Sequence, residues 1–282
     1  MNGMEIFDFN IHLPCRRGQD TEERLIDEGS MGVEDLRHCY ATHRPSLNMH
    51  MQGANFMLFN QDLPFGEHHI ASWIAEVRRD WHFASFTQLL DFRRDGLAQA
   101  LDRIKALGIE GVKFHSYVQH IGENDLPAAL NAAELASERG LYICVDASYG
   151  TNRMYDYDNL RLAALLVRKI RNVPIVILHS GGARCWDAML LALDAHNVYL
   201  ETSFTLPYYQ GSSIETDLAF IFRKVGVDKI LYASDFPYVS LTESGSCIET
   251  FLERHKFSTA ERSAILGDNA RRLLAGLDNH RA

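Results

Sequence analysis

The chain is poor in cysteine, proline and net positive charge, and each shortage narrows what it can be. Its five cysteines, Cys15, Cys39, Cys144, Cys185 and Cys247, are odd in number, widely spaced and form no CxxC. That argues against a disulfide framework or a structural zinc site and fits a reducing compartment, so a cytoplasmic location is expected. Only seven prolines occur in 282 residues, and no Pro-, Gly- or Ser-rich linker or charge block marks a boundary, so residues 1–282 read as one domain. A formal charge of −9 disfavours nucleic acid or an anionic membrane as a main partner, although it leaves room for a local basic pocket. No apolar run approaches the length of a membrane span, and the opening MNGMEIFDFN lacks the pattern of a secretory signal.

What is present is a regular alternation of two periodicities. Short runs with β-type composition, MEIFDFNIHL, ANFMLFN, WHFASFTQLLD, GVKFHSY, LYICVDA, VPIVILH, VYLETSF and KILYASD, are apolar at nearly every position, as expected of strands covered on both faces. Amphipathic helical segments lie between them. GLAQALDRIKALG carries Leu97, Leu101, Ile104 and Leu107 on one face, with Gly108 placed to end it. VEDLRHCYATH reads as a further helix, and IETFLERH and TAERSAILGDNARRLLAGL as two closing ones. Eight strands separated by helices predict an α/β fold, a single (β/α)8 TIM barrel with an additional C-terminal helix. A doubly wound open sheet is the alternative, but no GxGxxG follows the first strand.

Polar residues recur where the apolar runs end: Asn10 and His12, Lys113 and His115, Asp146, His179, and Asp235. Residues two apart on a strand share a face, so Asn10 and His12 face one way, as do Lys113 and His115. In a parallel barrel the C-terminal strand ends meet at one mouth, where active sites lie. Imidazoles and carboxylates converging there can bind a divalent metal or activate water without one. Arg184, just beyond the LHSGG turn, has a fork suited to a substrate anion, and Glu201 in YLETSF is placed to reach the mouth. Lys113, His115, Arg184 and Glu201 are therefore expected to bind substrate.

The opening DxNxH of Asp8 to His12, GVKFHSY, LHSGG, ASDFP and the closing LGDNARRLL together resemble the amidohydrolase superfamily, in its amidohydrolase-related branch of hydrolases, decarboxylases and metal-independent lactonases. The resemblance spans nearly the whole chain. It implies an HxH pair on the first strand, a His after the fifth, a His after the sixth and an Asp on the eighth. The pair, the fifth-strand His and the Asp hold one metal in that family, and the Asp also takes a proton from the attacking water. His12 then matches the second His of the pair, His179 the sixth-strand His and Asp235 the eighth-strand Asp. Asn10 and Asp146 depart from the pattern at two metal-ligand positions. The resulting set of Asn10, His12, Asp146 and Asp235 is rich in oxygen, so it suits weakly held Zn²⁺, Mn²⁺ or Mg²⁺, or no metal at all.

These readings lead to an enzyme that hydrolyses a small-molecule ester, lactone or amide, with Asp235 and His179 as the catalytic pair. The alternatives are a nonoxidative decarboxylase of an aromatic or unsaturated acid and a barrel that binds a metabolite without turnover. The segments 14–46 and 149–158 are expected to select the substrate, and self-association is compatible with the resemblance.

Overall fold

Eight parallel strands pair in chain order, β1 (Met4–Leu13), β2 (Met49–Leu58), β3 (Phe83–Leu89), β4 (Gly111–Phe114), β5 (Tyr142–Val145), β6 (Ile175–Ile177), β7 (Val198–Glu201) and β8 (Ile230–Leu231). The computed structural model describes residues 4–13, 49–58, 66–80, 83–236 and 238–278. The helix expected in VEDLRHCYATH, the loop 14–46, Cys15 and Cys39 lie outside them.

The sheet closes on itself. Phe9 N donates to Tyr232 O at 3.0 Å, Asp235 N to Asn10 O at 3.0 Å, and His12 N to Phe236 O at 2.8 Å. These bonds continue the ladder beyond the two-residue β8 and satisfy backbone groups that an open edge would leave bare. The fold is thus the expected TIM barrel.

Eight longer helices are described: α1 (Gly66–Asp80), α2 (Leu97–Ala106), α3 (Leu126–Glu138), α4 (Asn159–Lys169), α5 (Cys185–Asp194), α6 (Ser213–Val225), α7 (Leu241–Arg254) and α8 (Asn269–Asp278). Helix α2 buries Ala100, Leu101 and Ile104. Gly108 ends it as expected, at φ 82° with its N–H on Lys105 O. Helix α7 starts seven residues before IETFLERH, because the Ser240 hydroxyl caps its first turn by accepting from Glu243 N at 3.1 Å. None of the described helices is long and apolar enough to cross a membrane.

Alternation on the strands divides the core. Ile143, Val145, Ile175, Ile177, Val198 and Leu200 pack in the cluster shared with the helices. Phe7, Phe9, Tyr142, Cys144, Val176, Leu178 and Leu231 fill a second cluster, which Ala270, Leu273 and Leu277 of α8 join. Asp146 lies two residues beyond Cys144, and Asp235 two beyond Ala233, so both continue the faces that carry this inner cluster.

Candidate active site

Strands β4, β6, β7 and β8 stop sooner than the sequence suggests, and the freed residues build the site. His115 leaves β4 and precedes a short helical turn, Ser116–Gln119, while its backbone N–H is taken by the Gln119 side chain at 2.9 Å. After β6 the chain enters a left-handed turn, with φ of 61° at His179, 48° at Ser180, 84° at Gly181 and 53° at Gly182. A Cβ at Gly182 would sit 1.8 Å from Ser148 O, so the loop after β5 and the turn after β6 meet only because that residue is glycine. Phe204 and Asp235 also have positive φ, 54° and 65°. Such backbone costs about 1–3 kcal/mol per residue and clusters at functional sites.

A cavity of about 170 Å³ opens here, lined by His12, His115, Asp146, His179 and Asp235 together with Tyr117, Ser148, Gly150, Thr151, Phe204 and Tyr238. Each histidine meets an aromatic edge, with ring centroids 5.2 Å apart for His12 and Tyr238, 4.4 Å for His115 and Tyr117, and 5.8 Å for His179 and Phe204. The last six lining residues were not singled out from the sequence, although Ser148, Gly150 and Thr151 adjoin or lie in the loop read as substrate-selecting. Tyr117, Phe204 and Tyr238 lie within three residues of His115, Glu201 and Asp235, which is the only signal that could have found them.

The polar groups fall into two clusters. In the first, Asp146 Oδ2 lies 3.0 Å from His179 Nε2, 3.5 Å from His115 Nε2 and 3.6 Å from Lys113 Nζ. Burial opposes ionisation of Asp146, but His115, His179 and Lys113 outweigh it and hold the carboxyl well below its usual range. Burial also disfavours a charged His179; Asp146, then Asp235 and Glu201, overcome it and raise the ring to about 9. His115 gains less than it loses to burial and falls to about 3. Asp146 thus stands among Lys113, His115 and the charged His179 ring, which Asp235 and Glu201 also face.

In the second cluster, Asp235 Oδ1 lies 3.1 Å from His12 Nε2 and accepts from Asn10 Nδ2 at 3.3 Å. Burial works against its charge, yet His179 and His12 hold Asp235 below the usual carboxylate range. His12 is lowered, first by burial and then by Lys113, so it stands as a neutral ring beside a carboxylate.

The other expected site residues lie apart from the cavity lining. Glu201 is fully buried behind His179 and Ser203. Lys113 is buried beneath Asp146. Arg184 points elsewhere: its Nη1 meets Asp158 at 2.8 Å, its Nε meets Asp187 at 2.7 Å, and its guanidinium lies 5.1 Å from the Tyr149 ring centroid. The anion-binding fork expected there is already filled by two carboxylates.

The donor set does not fit the metal that the resemblance implies. Asn10 turns its amide nitrogen, a donor, toward Asp235, Ser203 and Glu201. Asp146 offers an oxygen already surrounded by an ammonium and two imidazoles, and a dication there would lie beside Lys113. His12 and Asp235 alone remain, which is too few protein ligands for a closed or catalytic site. Among the described residues no group of three or more His, Cys, Asp or Glu side chains is arranged to hold an ion.

Solved structures of the same architecture cover nearly all of the chain. A protein from Acinetobacter baumannii assigned as a 2-pyrone-4,6-dicarboxylic acid hydrolase, with citric acid bound, is 15% identical, with 96% of this chain and 100% of that chain covered at a TM-score of 0.63. The 2,6-dihydroxybenzoate decarboxylase from Rhizobium is 15% identical, with coverage of 97% and 98% and a TM-score of 0.60. An amidohydrolase from Burkholderia multivorans with bound zinc is 17% identical, with coverage of 96% and 99% and a TM-score of 0.63. At such identities the likeness is one of fold. No curated protein matches the sequence. The sequence profile of the family described as Amidohydrolase matches residues 48–276, and the chain belongs to that family.

Proposed function

We propose that the protein hydrolyses a small-molecule ester, lactone or amide at the barrel mouth, with Asp235 as the base and without a metal. The observation that carries this reading is the place of Asp235: it lines the cavity, with Oδ1 held by Asn10 and set beside His12. A water hydrogen-bonded to Oδ2 loses its proton to Asp235 as its oxygen bonds to the substrate carbonyl carbon. The carbonyl oxygen gains the negative charge. It is stabilised by the charged His179 ring in the cavity wall, in a buried setting where such fields act strongly. When the tetrahedral species collapses, the bond to the leaving group breaks and Asp235 returns the proton to it. Soluble divalent metal has no place in these steps.

Decarboxylation is the second reading, favoured by one feature. Tyr117, Phe204 and Tyr238 give the cavity three aromatic walls, which suit a planar unsaturated acid. A panel of lactones, aryl esters and aromatic acids, followed both for hydrolysis and for CO2 release, tests the two together. Hydrolysis that disappears in Asp235→Asn supports the first reading. CO2 release without hydrolysis overturns it.

A further inference from the structure

One wall of the cavity, Phe204, continues outward as a row of rings. Phe204 has a positive φ of 54°, and after it the Thr205 hydroxyl donates to His179 O. A single helical turn follows, Thr205–Tyr208, and Tyr208 N closes it on Phe204 O at 2.9 Å. Residues four apart on such a turn share a face, so the side chains of Phe204 and Tyr208 meet. Their rings are stacked, with centroids 4.8 Å apart and planes inclined by 22°.

The row is held at both ends. A Cβ at Gly150 would collide with the Phe204 ring, so the loop after β5 packs against that ring only because it carries glycine there. Tyr209 meets Tyr208 at 77° with centroids 4.9 Å apart, and its hydroxyl donates to Tyr149 O at 3.4 Å. Burial does not account for the Tyr208 ring, which is 61% exposed. A ring fixed by its neighbours and left open to water has already lost the freedom that binding would cost it, and its π-system favours a second flat ring.

We propose that Tyr208, stacked on Phe204 of the cavity wall, forms an outer subsite for a flat leaving group, so that the substrate is an aryl ester or anilide rather than an alkyl one. The acyl carbonyl enters the cavity, of about 170 Å³, beside Asp235, and the aryl ring lies against Tyr208. Hydrolysis breaks the bond between the acyl carbon and the aryl oxygen or nitrogen. Water supplies its hydroxyl to the acyl carbon and its other hydrogen, carried by Asp235, to the departing phenol or aniline. The aryl ring is held alike before and during the reaction, so Tyr208 sets KM and leaves kcat unchanged. The identity of the substrate rests on the hydrolytic reading above; the stacking of a flat ring on Tyr208 does not.

The test pairs a binding measurement with a kinetic one on the full chain. 2-Naphthol, a flat phenol that cannot be hydrolysed, is titrated calorimetrically into the parent, Tyr208→Ala and Tyr208→Phe. Phe220→Ala, which removes a ring 51% exposed on α6, is the control for exposed aromatics in general. 2-Naphthol should bind the parent saturably. Tyr208→Ala should weaken it about threefold to tenfold, the size of one aromatic stack, while Tyr208→Phe and Phe220→Ala keep the parent affinity. With 2-naphthyl acetate the KM of Tyr208→Ala should rise by the same factor at unchanged kcat, and with ethyl acetate neither constant should move. A merely structural role would shift both esters together and lower the denaturation midpoint. No binding of 2-naphthol to the parent, equal affinity in Tyr208→Ala, or an equal loss in Phe220→Ala overturns the subsite. Tyr208-dependent binding in a protein that hydrolyses nothing would overturn the proposed function alone, whereas hydrolysis of the naphthyl ester with a parent-like KM in Tyr208→Ala would overturn the subsite alone.

Discussion

Nε2 of His12 lies 3.1 Å from Oδ1 of Asp235 across the seam where β1 meets the end of β8. The contact joins a neutral imidazole to an ionised carboxylate that lines the cavity. Replacing Asp235 with Asn keeps its shape and removes its basicity. Turnover should fall by about 10²–10⁴-fold, the usual contribution of a general base, while the thermal midpoint stays close to that of the parent. Parent-like kcat in this variant would refute the assignment.

Metal dependence separates this site from the one its family resemblance implies. Treatment with a chelator should leave the rate unchanged, and elemental analysis of the untreated protein should find no stoichiometric zinc or manganese. One equivalent of metal that is lost in His12→Ala would show that Lys113 and Asp146 rearrange to admit an ion.

The pH response follows from His179. Its ring is held charged to about 9 in the fold, against 6.5 for an unperturbed histidine, so its protonation contributes stability that is complete below pH 6.5 and is lost as the pH rises through 9. Chemical denaturation of the parent and of His179→Gln at several pH values should show a stability difference that shrinks across this window. Turnover should decline over the same range as the cavity wall loses its charge. A difference that stays flat from pH 6.5 to 9 would rule out a charged ring.

Gly182 should resist substitution. Gly182→Ala forces a Cβ into Ser148 O in a backbone conformation that side chains rarely adopt. The loss of stability should exceed the ~1–3 kcal/mol of backbone strain alone, read as a lowered denaturation midpoint. Gly211, also at positive φ but with open space around it, should pay only the strain, so Gly211→Ala is the matched control.

Arg184→Ala should change KM little, because its fork serves Asp158 and Asp187 at the surface rather than the cavity. Stability should move by no more than ~1 kcal/mol, as for other exposed ion pairs. A large rise in KM for an anionic substrate would restore the anchoring role expected from sequence.

Much of this was legible in the sequence, for physical reasons. Strands buried on both faces are continuously apolar, so β5 and β6 stand out, and the first polar residues after them, Asp146 and His179, had to be where the wall of the barrel ends. Arg184 was misleading because its charge is visible in sequence and its partners are not: Asp158 lies 26 residues away and is brought near only by the fold. Ser203 and Phe204 were hidden for another reason. Their placement depends on a positive φ at Phe204, a conformation that sequence composition flags only when the residue is glycine or asparagine. Glu201 faces the inside of the barrel, as Tyr199 two residues earlier does, but its bonds to His179, Ser203 and Asn10 keep it beneath the lining, a depth that a strand pattern does not show.

The seam between β1 and β8 also has a consequence in time. Asp8 accepts a hydrogen bond from Ser234, 226 positions further along, and Asn10 and His12 meet Asp235 in the same place. During synthesis on the ribosome the first strand must wait for the eighth, and contacts so distant in sequence form slowly. The Asp146 cluster, drawn from β4 to β6, can assemble while the chain is still growing. The Asp235 contacts cannot, because their partners on β1 and after β8 come together only once the last strand has been made.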